Sequence, residues 1–334
     1  PHHSQLYQVC CKVEECDYMD PDNGALETIK REGLEIIDIQ NRITRYEVDV
    51  IDTLPEASIK QMVIQGHNLY VLDEANILVY VITLEDNGTE TARRRSPIAE
   101  MRPGGIASNI KVGEIFAIAF NEDENMIVAL DRNGVLVECS QHFMRCRGRS
   151  LLGAENWVNP VSITIWNGRL YILDTGIGNG QIWRYEPSGG IYHSAPTEYF
   201  EGSTRPQIRN AIDFEIDRDG SVYVLLEQGI VLKYNGGQPQ TFDYAAFPEG
   251  QTITSAMSMF LDDRVISQQI YIVNRDNRTI YETTLIGTFD SSYRIFDEEQ
   301  FDLLTVVTVA DGAGGQELIY AASGNTVFVI EKED

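Results

Sequence analysis

Three acidic residues stand at matching places in three near-identical segments: LYVLD ending at Asp73, IVALD ending at Asp131 and LYILD ending at Asp174. Carboxylates serve acid/base catalysis and hard-cation binding, so such a set invites both readings. Repetition favours a third. A catalytic group is needed once, whereas a carboxylate at a strand end can accept hydrogen bonds from the amides of the next turn wherever that turn recurs. The five histidines add little: His2 and His3 are terminal, His67 occupies the turn Gly66-His67-Asn68, His142 lies between Cys139 and Cys146, and His193 sits in a loop. None has a Glu two residues later, and none shows a partner for general-base work. No GxSxG elbow or phosphate-cradling loop occurs, and Gly312-Ala313-Gly314-Gly315 reads as a hairpin between two strands.

The elements that carry the three aspartates recur beyond them. VYVLL ends at Leu226, IYIVN at Asn274 and IYAAS at Ser323, and neighbouring copies are separated by 58, 43, 52, 48 and 49 residues. The clearest copy, Val161 to Tyr185, reads as strand Val161–Trp166, turn Asn167-Gly168, strand Arg169–Asp174 and strand Gln181–Tyr185. Six such units with a period of about fifty residues predict an all-β, six-bladed β-propeller of four-stranded antiparallel blades. Outer strands are legible only near Glu198–Phe200 and Tyr293–Phe296. A polar insertion from Glu85 to Pro103, with Arg93-Arg94-Arg95 in a loop of blade 1, accounts for the longest interval. Blade 6 shows three strands, and the strand Ile43–Ile51 before blade 1 is unused, so it is expected to complete blade 6 and leave no open edge. Residues 1–33 fall outside the repeat and are read as a lead-in, with a turn at Asp20–Gly24 and a short helix over Ala25–Arg31; residues 34–334 form one propeller domain.

The sixteen tyrosines and the many Val and Ile in period-two segments favour strand over helix. A net charge of −25 comes from acids spread over every repeat, which keeps the protein soluble and makes nucleic acid and anionic membranes poor partners. No apolar run is long enough to span a bilayer. The chain opens on Pro1-His2-His3, read as a tag remnant, and the expectation is a domain excised from a larger bacterial protein, extracytoplasmic by preference. Of five cysteines, Cys139 and Cys146 flank a turn where a hairpin disulfide is plausible, with two free thiols as the alternative. Cys10, Cys11 and Cys16 lack the partners of a zinc site. Asn87-Gly88-Thr89 and Asn277-Arg278-Thr279 match the glycosylation triplet, a pattern often met by chance.

Asn274-Arg275-Asp276-Asn277-Arg278-Thr279-Ile280 resembles the D-x-x-N-R-I core of NHL-type propeller repeats, with Asn in place of the first Asp. Asp174 to Ile182 echoes it with a wider loop, Asp73 to Asn76 keeps the Asp and Asn, and Ser323-Gly324-Asn325 keeps a trace. The resemblance covers residues 43–334 and implies a binding or sensor module, non-catalytic and without a cofactor, that takes a protein or a small ligand at the channel mouth. The loops there offer Asn76, Arg132, Asn133, Trp157, Arg209, Arg275 and Arg278. Trp157 has either the chemistry of an interaction anchor or that of a residue packed between blades. A more distant likeness to gluconolactonase and regucalcin implies the alternative, a metal-dependent hydrolase or lyase with Ca²⁺ or Mg²⁺ on the channel axis. Its ligands would be drawn from Asn159, Asn210 and Asp213, although no matching Glu occurs near the first strand of blade 1.

Overall fold

The computed structural model describes residues 7–9, 15–19, 26–30, 34–37, 43–86, 91–140, 145–202, 206–264, 268–294, 301–312 and 317–332. Side chains are described from residue 50 onward, apart from 84–95 and 332. Alternating apolar residues and tight turns fold each repeat into an antiparallel sheet, and six such sheets form a ring. The inner strands of blades 1 to 6 are Ile59–Gln65, Ile115–Asn121, Pro160–Trp166, Ala211–Ile216, Ala256–Asp262 and Leu304–Asp311. The second strands, Asn68–Asp73, Met126–Asp131, Arg169–Asp174, Ser221–Leu226, Gln269–Asn274 and Glu317–Ser323, are almost wholly buried, because both of their faces meet a neighbouring blade. Six apolar clusters fill the six junctions; Tyr271, Phe301 and Phe328, for example, are buried between blades 5 and 6. Burial of each such side chain contributes roughly 1.5–3 kcal/mol.

The ring closes as the repeat count requires. Ile43–Thr53 pairs antiparallel with Thr326–Lys332, placing Val48 opposite Ile330 and Val50 opposite Phe328. Thr305 Oγ1 then donates to the Ile59 carbonyl at 2.7 Å, stitching blade 6 to blade 1. A fifth strand, Leu34–Ile37, lies outside the closing strand.

Several local expectations need correction. Residues Leu26–Lys30 form a strand paired with Glu15–Met19, not a helix; the β-branched Thr28 and Ile29 suit a ladder, and the partner strand is present. Arg93, Arg94 and Arg95 lie in the outer strand of blade 1, Thr91–Pro97, rather than in a loop. The long first interval comes instead from the connection after that strand, which carries a small hairpin, Ile106–Ala107 with Ile110–Lys111. The outer strands of blades 2 and 4, Cys146–Ser150 and Gln238–Gln240, gave no signal because the ring's periphery buries little and needs no apolar alternation. Those of blades 3 and 5 are Thr197–Glu198 and Phe289–Tyr293, each displaced a few residues toward the N-terminus. Cys139 and Cys146 face each other across strands of blade 2 and are joined by a disulfide. The turn Asp20–Gly24, His142 and the triplet at Asn87 lie outside the described residues.

Candidate functional site

Inner strands begin, and second strands end, on one face of the ring, which is formed by the second-to-third-strand turns and the connections between blades. The recurrent aspartates build that face. Asp73 Oδ1 accepts from the amides of Ser58 and Ala75, both at 3.0 Å, and Asp131 from those of Gly113 (2.6 Å), Asn133 (2.9 Å) and Val135 (2.7 Å). Asp174 accepts from the amides of Val158 (2.9 Å), Asn159 (2.8 Å) and Gly176 (3.0 Å) and from Trp183 Nε1 (3.2 Å). In blade 5 the amides of Thr254 and Ser255 both donate to Asn274 Oδ1 at 2.9 Å. Each of these four side chains is completely buried and ties its own turn to the incoming connection. The three carboxylates and the Asn274 amide oxygen are consumed by the fold.

The residues expected at the mouth divide into two groups. Asn76 Nδ2 is held by Asp73 Oδ2 at 2.7 Å, Arg278 pairs with Asp302 at 2.8 Å, and Trp157 packs edge-on to Tyr185 between blades 2 and 3, with ring centroids 6.2 Å apart. Arg132, Asn133, Arg209 and Arg275 are exposed. Arg132 lies over the Phe116 ring at 5.5 Å, and Arg209 and Arg275 form no ion pair among the described residues. The same face presents exposed apolar groups that the sequence reading did not single out: Leu152, Val158 and Leu303 in connections between blades and Ile230 at a second-to-third-strand turn. Among the described residues the other large exposed hydrophobics are Val50, Ile286, Tyr244, whose neighbours Asp243 and Ala245 bond to Ile286 and Gly287 in the turn on the opposite side, and Ile106, in the hairpin against the outer strand of blade 2.

Below the mouth, the inner strands enclose a channel cavity of about 520 Å³. Every inner strand carries a bulge after its first residue, so the later positions of all six blades fall in register. One level contains Gln61, Ala117, Ser162, Asp213, Ser258 and Val306; the next contains Val63, Ala119, Thr164, Glu215, Phe260 and Thr308. At the first level polar side chains satisfy backbone amides on the free edges of inner strands. Gln61 Oε1 accepts from the Ile118 amide at 2.8 Å, and Asp213 Oδ2 from the Met259 amide at 3.0 Å. Asp213 Oδ1 also accepts from Ser162 Oγ (2.8 Å) and the Phe214 amide (3.0 Å), so this carboxylate joins blades 3, 4 and 5.

Glu215 is placed differently. Its one hydrogen bond among the described residues comes from Thr164 Oγ1 at 3.5 Å, and it opens in part to the lumen. Burial, the charge of Asp213 and, to a lesser degree, Asp263 push its carboxyl well above the ordinary range, against the Thr164 hydroxyl. Burial also raises Asp213, which its three donors and the Lys60 ammonium counteract. At the far mouth Arg264 gathers Asp262, Asp311 and Glu317, and the Tyr271 hydroxyl lies between Glu317 Oε1 (2.5 Å) and Glu282 Oε1 (3.1 Å).

The proposed divalent-ion ligands do not converge. Asp213 lines the channel but its oxygens are engaged, whereas Asn159 and Asn210 are exposed loop residues outside that lining, and Asn159 Nδ2 donates to Thr175 Oγ1 at 2.8 Å. Among the described residues, no group of three or more His, Cys, Asp or Glu is placed to share a metal ion. The donor set therefore does not fit Ca²⁺ or Mg²⁺ on the axis. No helix among the described residues is long and apolar enough to cross a membrane.

No known family profile, NHL-type repeats included, matches the chain, and no curated protein does. Solved structures do. A Trichoderma reesei enzyme of carbohydrate-active family AA12, determined with calcium, aligns over 91% of this chain and 98% of its own, with a TM-score of 0.57 at 13% identity. Its iodide structure aligns over 91% and 99%, with a TM-score of 0.56 at 13% identity. The WD40 β-propeller domain of Doa1 aligns over 86% and 98%, with a TM-score of 0.50 at 10% identity. At such identities the likeness is one of fold alone, the β-propeller, and the six blades are those of this chain's own sheets.

Proposed function

We propose that this protein is a non-catalytic binding and sensor module that engages a protein partner through the face around the channel mouth. One observation carries the reading: of the eight large hydrophobics exposed among the described residues, Leu152, Val158, Ile230 and Leu303 lie on that face, together with the exposed Arg132, Arg209 and Arg275. Apolar anchors interspersed with arginine are the composition of interaction surfaces. In a chain of net charge −25, guanidiniums left without a carboxylate partner favour an acidic counterpart. The β-propeller fold is consistent with this role, and its loops can vary without disturbing the blades.

The test is to pan a displayed peptide library on the immobilised full chain and measure the selected peptides on variants. Peptides pairing acidic with apolar residues are expected, with binding weakened about tenfold or more by Leu303→Asp combined with Arg275→Glu. Ile286→Asp combined with Arg169→Glu, on the opposite side, should leave it intact. Loss through the opposite-side pair alone would overturn the assignment, as would a lactone hydrolysis that depends on added Ca²⁺.

A further inference from the structure

The channel, in contrast to the mouth, holds polar groups that the fold does not use. Glu215 is the one charged residue at its level of the ring, and its carboxylate receives only the long bond from Thr164. Asp213, two residues earlier, is fully engaged in joining three blades, so the two carboxylates have separate roles despite their proximity. A second, independent feature lies on the adjacent blade. Ser258 lines the same cavity, is only 5% exposed, and its Oγ has no hydrogen-bond partner. A buried hydroxyl left unpaired costs about 1–3 kcal/mol, which an incoming polar group can recover.

The rest of the wall sets the nature of the occupant. Val63, Ala119 and Phe260 stand at the level of Glu215, and Phe120 and Ile165 also line the cavity. A volume of about 520 Å³ suits a small organic molecule. We infer that the channel is a binding site for a small organic cation, whose ammonium or amidinium head donates to Glu215 and Ser258 while its apolar body lies along Val63, Phe120 and Phe260. Phe260 adds an aromatic neighbour, which a cation favours. Lys60 balances Asp213 and pairs with Glu74 at 3.6 Å, leaving Glu215, which holds its proton until the cation enters and then releases it to solvent, as the carboxylate for the ligand. This inference stands apart from the protein-binding face, since neither needs the other.

Benzamidine serves as probe, with benzyl alcohol as a neutral analogue of similar size, and binding to the full chain is followed by calorimetry. Benzamidine is expected to bind with a dissociation constant of about 1 mM or tighter and benzyl alcohol at least about tenfold more weakly. Glu215→Gln should cost about tenfold or more, the range for a hydrogen bond to a charged group, and Ser258→Ala about two- to fivefold. Both replacements remove little volume, and circular dichroism checks that the variants fold. Ile286→Asp, outside the channel and the mouth, should change nothing. Absence of benzamidine binding at about 10 mM, equal binding of the alcohol, undiminished binding by Glu215→Gln, or displacement by equimolar Ca²⁺ would each overturn the assignment.

Discussion

Replacing Glu215 by Gln should make the protein more stable at neutral pH and leave it unchanged in mild acid. Glu215 is held above its ordinary titration range chiefly by burial and secondarily by Asp213, so the folded state keeps its proton where the unfolded chain has lost it. For a group raised on folding, the stabilising contribution is complete below the unfolded value, about 4.3 for Glu, and is lost as pH rises through the folded value. Across that window the folded state binds up to one extra proton, and stability falls by about 1.4 kcal/mol per pH unit. The glutamine amide does not titrate, so the variant lacks this slope. Asp213 is raised as well, by burial, and that contribution is common to both proteins and cancels in the difference. The assay is urea unfolding of both proteins from about pH 4 to about pH 8, read as midpoints at equal m-values. The curves should coincide near pH 4 and separate as pH rises. Parallel curves, or a wild type that gains on the variant with increasing pH, would refute the reasoning, because they would mean that Glu215 is charged and compensated in the folded state.

Two further outcomes follow from the ring. Deleting residues 1–33 should leave a monodisperse, folded protein, whereas deletion through Thr53 removes the strand paired with Thr326–Lys332 and should yield aggregates on size-exclusion chromatography; equal behaviour of the two truncations contradicts the closure. Replacing Cys139 and Cys146 by Ser opens a short covalent loop, and the chain-entropy account puts the loss at about 2.5 kcal/mol, measurable as a lower urea midpoint that matches the reduced wild type.

Much of this architecture is legible in the sequence because burial leaves a clear record. The second strands are covered on both faces, so copies such as LYVLD and LYILD remain alike, and their spacing gives the blade count and the place of the closing strand. The outer strands of blades 2 and 4 leave no such record. Gln238–Gln240 is exposed and held by backbone pairing, and Cys146–Ser150 is held by a disulfide and by Arg147 and Arg149 on Glu138, contacts that show no apolar alternation. The recurrent aspartates were equally readable, since a turn that repeats around the ring repeats its hydrogen-bonding needs.

The channel was less legible, and alignment on a different strand shows why. Second strands carry the fold, and matching them directs attention to Asp73, Asp131 and Asp174, which are buried in turns. Inner strands carry the lumen, and matching those, with the bulge after the first residue, sets Glu215 against Val63, Ala119, Thr164, Phe260 and Thr308. A carboxylate whose five counterparts are uncharged answers no need of the repeat. Asp213 shows that an acid at an adjacent level can be fully absorbed by the architecture, joining blades 3, 4 and 5. Among the described residues nothing comparable absorbs Glu215, whose burial raises its pKa and whose one donor is 3.5 Å away. The copy that departs from its repeat, rather than the residue that recurs, is therefore the one free to bind a ligand.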